Sequence, residues 1–321
     1  MGVNESYSSA GVLPAKLLST KEVCVDHRGN IAPVHIQICP TNRCNLDCPF
    51  CSCAGREKGQ ELGFESMISA IDFFKAAGAE SITITGGGEP CLYPHITDMI
   101  ARLYDIKIGV GLVSNGLLLQ RAIDVLPKVT WCRVSVSDHR DIDKLFSVMR
   151  GIVPSSDVDW AFSYVLTDKW EFTKFIRCLE FANEHSFTHV RLVADIMNTG
   201  GVTPMQTIKE NVRAAGVNDS KVIYQDRKHP VRGSTECRIS LLKPMLAPDG
   251  YIYPCCGVQY ALDGSLGVWP ENMRLCHMSE LPRLYATQHC FDGSICDRCY
   301  YDDYNKALSL MVKRMDHEAW V

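Results

Sequence analysis

Residues 39–53, CPTNRCNLDCPFCSC, decide the reading of this chain. Within them Cys44, Cys48 and Cys51 are separated by three residues and then by two. Three thiolates at that spacing on one loop can converge on three irons of a cubane and leave the fourth iron without a protein ligand. Iron–sulfur clusters are held by Cys thiolates, and an open coordination position separates a reactive metal site from a closed structural one. The same residues allow a plainer reading. A structural zinc site needs four ligands, and Cys39 or Cys53 could supply the fourth; Cys is also a common buried hydrophobe.

Around this loop, apolar strands alternate with amphipathic helices. Strands are expected at 34–38, 81–85, 108–113, 131–136, 160–166 and 189–193, and helices at 64–77, 95–104, 117–126, 141–149, 171–185 and 205–215. Six alternations imply right-handed crossovers and a parallel sheet with helices outside. Such a sheet either closes partly into a barrel or stays open and doubly wound, and periodicity does not choose between them. In either case ligands sit where strands end, and the Cys loop follows the first strand directly.

Other strand ends carry polar or glycine-rich stretches. GGGEP at 86–90 follows the second strand. Its glycines lack a Cβ and let backbone approach a ligand closely, and Glu89 offers an acceptor for an ammonium group; a tight strand-to-helix turn would use the same residues. Ser114 and Asn115 end the third strand, although Asn-Gly is common in plain turns. Ser135, Ser137 and Asp138 end the fourth, and Arg191 lies in the sixth.

From about residue 227 helical periodicity stops and turn residues and Cys multiply. APDGYIYPCC at 247–256 reads as a hairpin turning at Pro248-Asp249-Gly250. A hairpin with one thiolate on each arm, from Cys237 and Cys255, faces the pair Cys296 and Cys299. Together these close a four-thiolate site that suits zinc or an iron–sulfur cluster. Cys256, beside a ligand, is a candidate hydrogen-atom donor to substrate. The divisions are an N-terminal arm over 1–30, a barrel over 31–225 and a Cys-rich hairpin/helix module over 226–321.

The 321 residues are 46% hydrophobic, enough for a sizeable core, and 33 basic against 37 acidic residues leave a net charge of -4. That balance lacks the basic footprint of nucleic-acid binding. No run has the length of a signal peptide or a membrane span. Sixteen Cys without an export signal point to metal ligation in a reducing cytoplasm rather than to disulfides.

The Cys44–Cys48–Cys51 spacing, with the aromatic Phe50 before the last Cys, resembles the radical S-adenosylmethionine (SAM) superfamily. The resemblance implies a six-fold (β/α)6 partial TIM barrel, a 4Fe-4S cluster on the three Cys, and SAM chelating the open iron and cleaved to a 5′-deoxyadenosyl radical. It implies that Gly87, Gly88 and Glu89 contact the methionine end of SAM. By the same likeness Ser114 and Asn115 would meet ribose or carboxylate, Ser135, Ser137 and Asp138 the ribose hydroxyls, and Arg191 the carboxylate. The C-terminal Cys layout resembles the "twitch" module, half the size of SPASM, which holds one auxiliary 4Fe-4S cluster. No Cys follows Cys299, so two clusters are expected and not three.

The expected activity is hydrogen abstraction from a carbinol C–H of a small polar substrate, such as a sugar or aminocyclitol, ending in dehydrogenation or epimerisation. An electron donor such as flavodoxin or ferredoxin is implied. The alternatives are a peptide (RiPP) maturase forming a crosslink or epimer, and a zinc-stabilised binding protein without catalysis. Only 43 residues precede Cys44, too few for a leader-binding domain.

Overall fold

A computed structural model describes residues 24–26, 28–153, 157–196, 204–225, 231–260 and 268–313. Most of the arm expected over 1–30 lies outside these residues; of its described end, Cys24 is buried and Val25 pairs with Ile31.

Seven parallel strands follow in spatial as in chain order: β1 (His35–Ile38), β2 (Ser81–Ile84), β3 (Gly109–Ser114), β4 (Trp131–Ser137), β5 (Asp159–Leu166), β6 (His189–Ala194) and β7 (Val222–Gln225). The helices between them are α1 (Phe64–Ala76), α2 (Ile96–Asp105), α3 (Ile142–Ile152), α4 (Phe172–Glu184) and α5 (Met205–Ala214). Each presents an apolar stripe. On α1 the buried residues are Met67, Ala70, Ile71 and Phe74, the i, i+3, i+4, i+7 spacing that puts side chains on one face. Burying each large one contributes roughly 1.5–3 kcal/mol. On α3, Asp141 caps the N-terminus by accepting from Lys144 N at 3.0 Å.

The strands divide their side chains by period two. Cys132, Val134 and Val136 of β4, with Phe162 and Tyr164 of β5 and Val190 and Leu192 of β6, enter the core under the helices. Trp131, Arg133 and Ser135, with Ser163, His189 and Arg191, alternate onto the opposite, inner face. The inner face is polar, as a partial barrel that takes in a substrate requires.

Two expectations change, and a third feature had carried no expectation. β7 is a strand that VIYQ was too short to reveal by periodicity. The segment expected as an α-helix over 117–126 is instead a 3-10 helix, Leu119–Lys128, with Pro127 inside it; proline has no N–H to give to an α-helical bond. The Cys-rich region also does not build a sheet of its own. Its strands β8 (Met245–Leu246), β9 (Tyr251–Tyr253) and β10 (Cys276–His277) extend the same sheet, with β8 lying parallel to β1. The result is one ten-stranded sheet with no pairing between β7 and β10. The short helices α6 (Ile239–Leu242), α7 (Leu281–Thr287) and α8 (Asp302–Met311) pack around that end. No helix among the described residues is long and apolar enough to cross a membrane.

Candidate active site

The Cys loop leaves β1 and is closed at its base, where Thr41 pairs with Glu61 and Asn42 N donates to Gln60 O at 3.0 Å. Inside it, Cys44, Cys48 and Cys51 are half-buried, and Cys48 feels the charge of both others. Two guanidinium groups flank them. Arg56 is buried, donates to Cys53 O at 2.6 Å and reaches Cys51 Sγ at 3.6 Å. Arg140, also buried, donates to Asn115 O at 2.7 Å and faces Cys48 and Cys44. Cys51 is held below the usual thiol range, first by its hydrogen bond with Cys53 and then by Arg56 against its own burial. Burial pushes Cys48 up, and Arg140 and Arg56 oppose it. Thiolate is the ligating form of Cys, so a cation on each side of the trio suits a cluster held there.

The GGGEP loop docks on this base. Gly88 N donates to Thr41 O at 3.0 Å and Glu89 N to Arg43 O at 2.7 Å. A Cβ on Gly87 would come within 2.1 Å of Asn42 Oδ1, and one on Gly88 within 2.0 Å of Arg43 O. Gly88 therefore admits the Cys loop's own backbone, and Gly87 the Asn42 side chain.

Glu89 is engaged by the protein's own donors. It is 2% exposed, and its carboxylate accepts from Ser114 Oγ (2.7 Å), Asn115 N (2.7 Å) and Cys91 N (3.1 Å). Burial raises its pKa, and those three donors act against the rise. Glu89, Ser114 and Asn115 do come together, but as a closed network tying β2 to β3. Asn115 Nδ2 extends it to Asn45 in the Cys loop at 2.7 Å.

Asp138 is likewise occupied. It accepts from Tyr164 Oη (2.6 Å), Thr167 Oγ1 (3.0 Å) and Glu171 N (3.0 Å), pinning the end of β5 and the start of α4. Ser137 Oγ is buried with no hydrogen-bond partner among the described residues, whereas Ser135 offers its carbonyl to Arg140 at 3.4 Å. Arg191 lies on the inner face and donates to Ser163 Oγ at 3.0 Å.

A cleft of about 510 Å³ opens at the strand ends. Phe50 and Cys51 of the Cys loop form one wall, and His139 after β4, Thr167, Asp168 and Lys169 after β5 and Asp195 after β6 form the rest. Its volume lies within the roughly 300–1,000 Å³ of small-molecule sites. The Phe50 and His139 rings are 5.8 Å apart. Of the residues expected to meet SAM, Phe50 alone lines it. His139, Arg140, Arg56, Thr167, Asp168, Lys169 and Asp195 were not anticipated. All but Arg56 sit just past a strand end, where DHR and TDK could have been read as site residues; Arg56 carries no such signal.

At the sheet's other end, Cys237, Cys255, Cys296 and Cys299 line one cavity. Cys276 and Cys290 do not line it, although Cys290 acts electrostatically on Cys237. The expected hairpin forms, with Gly250 at φ 82° in its turn, but its strands carry neither thiol. Cys237 instead precedes α6 and pairs with Phe291, and Cys255 follows β9 by two residues. Glycines make the cradle: a Cβ on Gly257 would meet Cys255 Sγ at 3.1 Å, one on Gly233 Cys296 Cβ at 3.2 Å, and one on Gly293 Cys237 Cβ at 3.3 Å. Gly257 N donates to Cys255 Sγ at 3.2 Å. Burial raises all four thiols and repulsion from neighbouring thiols adds to it at Cys237, Cys255 and Cys296, bringing Cys237 and Cys296 each to about 12, so a bound cluster would displace their protons. Among the described residues no three His, Cys, Asp or Glu close tightly enough to hold a single metal ion.

Cys256 lies outside the cleft wall. Its Sγ is 3.0 Å from Tyr301 Oη, and it neighbours the buried Cys39, whose Sγ is 3.8 Å from Met245 Sδ. All sixteen cysteines are free thiols.

Residues 38–139 match the radical SAM superfamily. A probable GTP 3′,8-cyclase from Archaeoglobus fulgidus is 31% identical over 121 residues, covering 37% of this chain and 40% of that protein, so the chain aligns with under half of that relative's length. A GTP 3′,8-cyclase from Helicobacter pylori is 24% identical over 278 residues, 75% of this chain and 86% of that protein. Among solved structures, Streptococcus suis SuiB bound to S-adenosylmethionine shares the fold at TM-score 0.61 and 16% identity, covering 94% of this chain and 77% of that one. SuiB bound to its precursor peptide SuiA superposes over the same 94% at TM-score 0.59. The matched segment, less than half of the chain, holds the three-Cys loop, the docked glycine loop and strands β2 to β4, and in it the chain is similar to the radical SAM superfamily.

Proposed function

We propose that the chain is a radical SAM oxidoreductase that takes hydrogen from a carbinol-type C–H of a small polar substrate and yields a ketone. The observation that carries this reading is the gathering of Cys44, Cys48 and Cys51 between Arg56 and Arg140 at a cleft walled by Phe50 and His139. Cys44, Cys48 and Cys51 would hold a 4Fe-4S cluster, which together with SAM would supply the radical chemistry of hydrogen abstraction. Phe50 and His139 offer flat surfaces to a nucleoside base, and Asp168, Lys169 and Asp195 offer polar contacts to substrate hydroxyls. The Asp138 network fixes the end of β5 and the start of α4, which keeps that rim in place.

In the dehydrogenation the carbinol carbon loses a hydrogen atom, its hydroxyl loses a proton, and one electron leaves as the C=O bond forms. An auxiliary 4Fe-4S cluster on Cys237, Cys255, Cys296 and Cys299 would supply the acceptor for that electron. Cys256 engaged by Tyr301, away from the cleft wall, supports dehydrogenation over epimerisation. A flavodoxin or ferredoxin serves as the external reductant, and the wholly free thiol set suits the cytoplasm.

A second reading, modification of a peptide, draws on the likeness of fold to SuiB solved with its precursor peptide. Incubation with small polyols and with peptides, scored for 5′-deoxyadenosine and product mass, separates the two.

The central test is anaerobic reconstitution. The protein should bind about eight irons, from two four-iron clusters. Changing Cys44, Cys48 and Cys51 together to Ala should remove about half and abolish SAM cleavage. Cleavage that persists in the triple variant would refute the reading.

A further inference from the structure

The inner face of β4–β6 carries a half-buried cation without a counter-ion. Arg133 stands in the middle of β4, and its Nε is buried with no hydrogen-bond partner among the described residues. Its guanidinium rests on the Trp131 ring, 4.9 Å from the centroid. Burial lowers its pKa, and the only group acting the other way is the thiol of Cys132; no Asp or Glu among the described residues does so. A buried polar atom without a partner is costly, and the Arg133 Nε is such an atom on a charge that no acid compensates.

The surroundings add positive charge. Burial and then the charges of Arg133 and Arg191 hold His189 down to about 3, so it is a neutral neighbour of two guanidinium groups. Ser135, Ser163 and Arg191 stand in register on adjacent strands, and the Ser163 hydroxyl accepts from Arg191. Gly111 makes room for the indole that steadies Arg133, because a Cβ there would come within 2.1 Å of the Trp131 ring. The face therefore presents a preset guanidinium beside hydroxyl groups.

We propose that this inner face binds a carboxylate or phosphate group of the substrate, with Arg133 as the pairing cation. This rests on the reading above that substrate enters the barrel, and it narrows the substrate class. A sugar acid or a phosphorylated sugar or nucleotide suits the face, whereas a cationic aminocyclitol would meet like charge. The planar fork of Arg matches both oxyanions by two parallel hydrogen bonds.

The test is thermal unfolding of the cluster-loaded protein, without SAM or reductant, in inorganic phosphate or in acetate against chloride at equal ionic strength. Wild type should melt higher in one of the two anions. A rise with phosphate marks a phosphorylated substrate, and a rise with acetate an acid. Arg133→Met should melt no lower than wild type in chloride, having lost an uncompensated charge, and should bind the anion roughly tenfold or more weakly. Arg133→Lys, which keeps the charge but not the fork, should retain part of the shift. Three results would overturn the proposal: no rise with either anion, an equal rise in Arg133→Met, or an Arg133→Met protein that unfolds well below wild type in chloride. Failure here leaves the role of the three-Cys loop standing, since that is read separately from iron content and SAM cleavage.

Discussion

Cys256 Sγ and Tyr301 Oη lie 3.0 Å apart, so the thiol next in the chain to Cys255 contacts a phenol and does not line the cleft. If this holds during turnover, Cys256→Ala should form the same product as wild type, and neither should carry solvent deuterium when run in deuterated water. Deuterium in the wild-type product, lost in the variant, would make Cys256 the hydrogen-atom donor and the enzyme an epimerase.

The Glu89 carboxylate joins three donors from two chain segments, Ser114, Asn115 and Cys91. Glu89→Gln turns one acceptor oxygen into a donor facing N–H and O–H groups. A buried polar group left unsatisfied costs about 1–3 kcal/mol, and a denaturation midpoint should fall by that much. SAM binding should weaken too, because the network reaches the Cys loop through Asn115 and Asn45. An unchanged midpoint would mean the carboxylate is free to serve a ligand.

Replacing any two of Cys237, Cys255, Cys296 and Cys299 by Ser should lower reconstituted iron from about eight to about four. Cys276→Ser and Cys290→Ser should keep the full complement. Iron loss in the Cys290 variant would bring that thiol into the ligand set.

Two histidines set an acid limit on stability. Burial, with Lys243 helping, holds His35 at about 3, and burial with Arg133 and Arg191 holds His189 at about 3, against 6.5 for each in the unfolded chain. Both folded pKa values are depressed, so the unfolded state takes up protons first as pH drops below 6.5. Stability should fall by about 1.4 kcal/mol per pH unit for each histidine down to about pH 3. Denaturation midpoints between pH 7 and 5 check this, and His35→Gln with His189→Gln should flatten the slope.

The sequence alone carried the three-Cys loop, the alternation of strands and helices, and the grouping of four C-terminal thiols that line one cavity. These are local or periodic properties. Cys spacing is written in the chain, and the i, i+3, i+4 stripe of α1 is legible before any packing. Element ends moved by a residue or two, and VIYQ became a strand because β6 offered it an edge. What the polar residues at the strand ends do was decided only in three dimensions. GGG was read as room for a ligand, yet its neighbours prove to be Asn42 and Arg43, more than forty positions earlier. Glu89 and Asp138 look like open acceptors in the sequence, and folding supplies donors from distant segments that fill them. The unpaired charge of Arg133 is invisible in WCRVSVS for the same reason. A partner's presence or absence depends on which strands lie alongside, and only the tertiary structure brings β3, β5 and β6 around that guanidinium with no acid acting on it among the described residues.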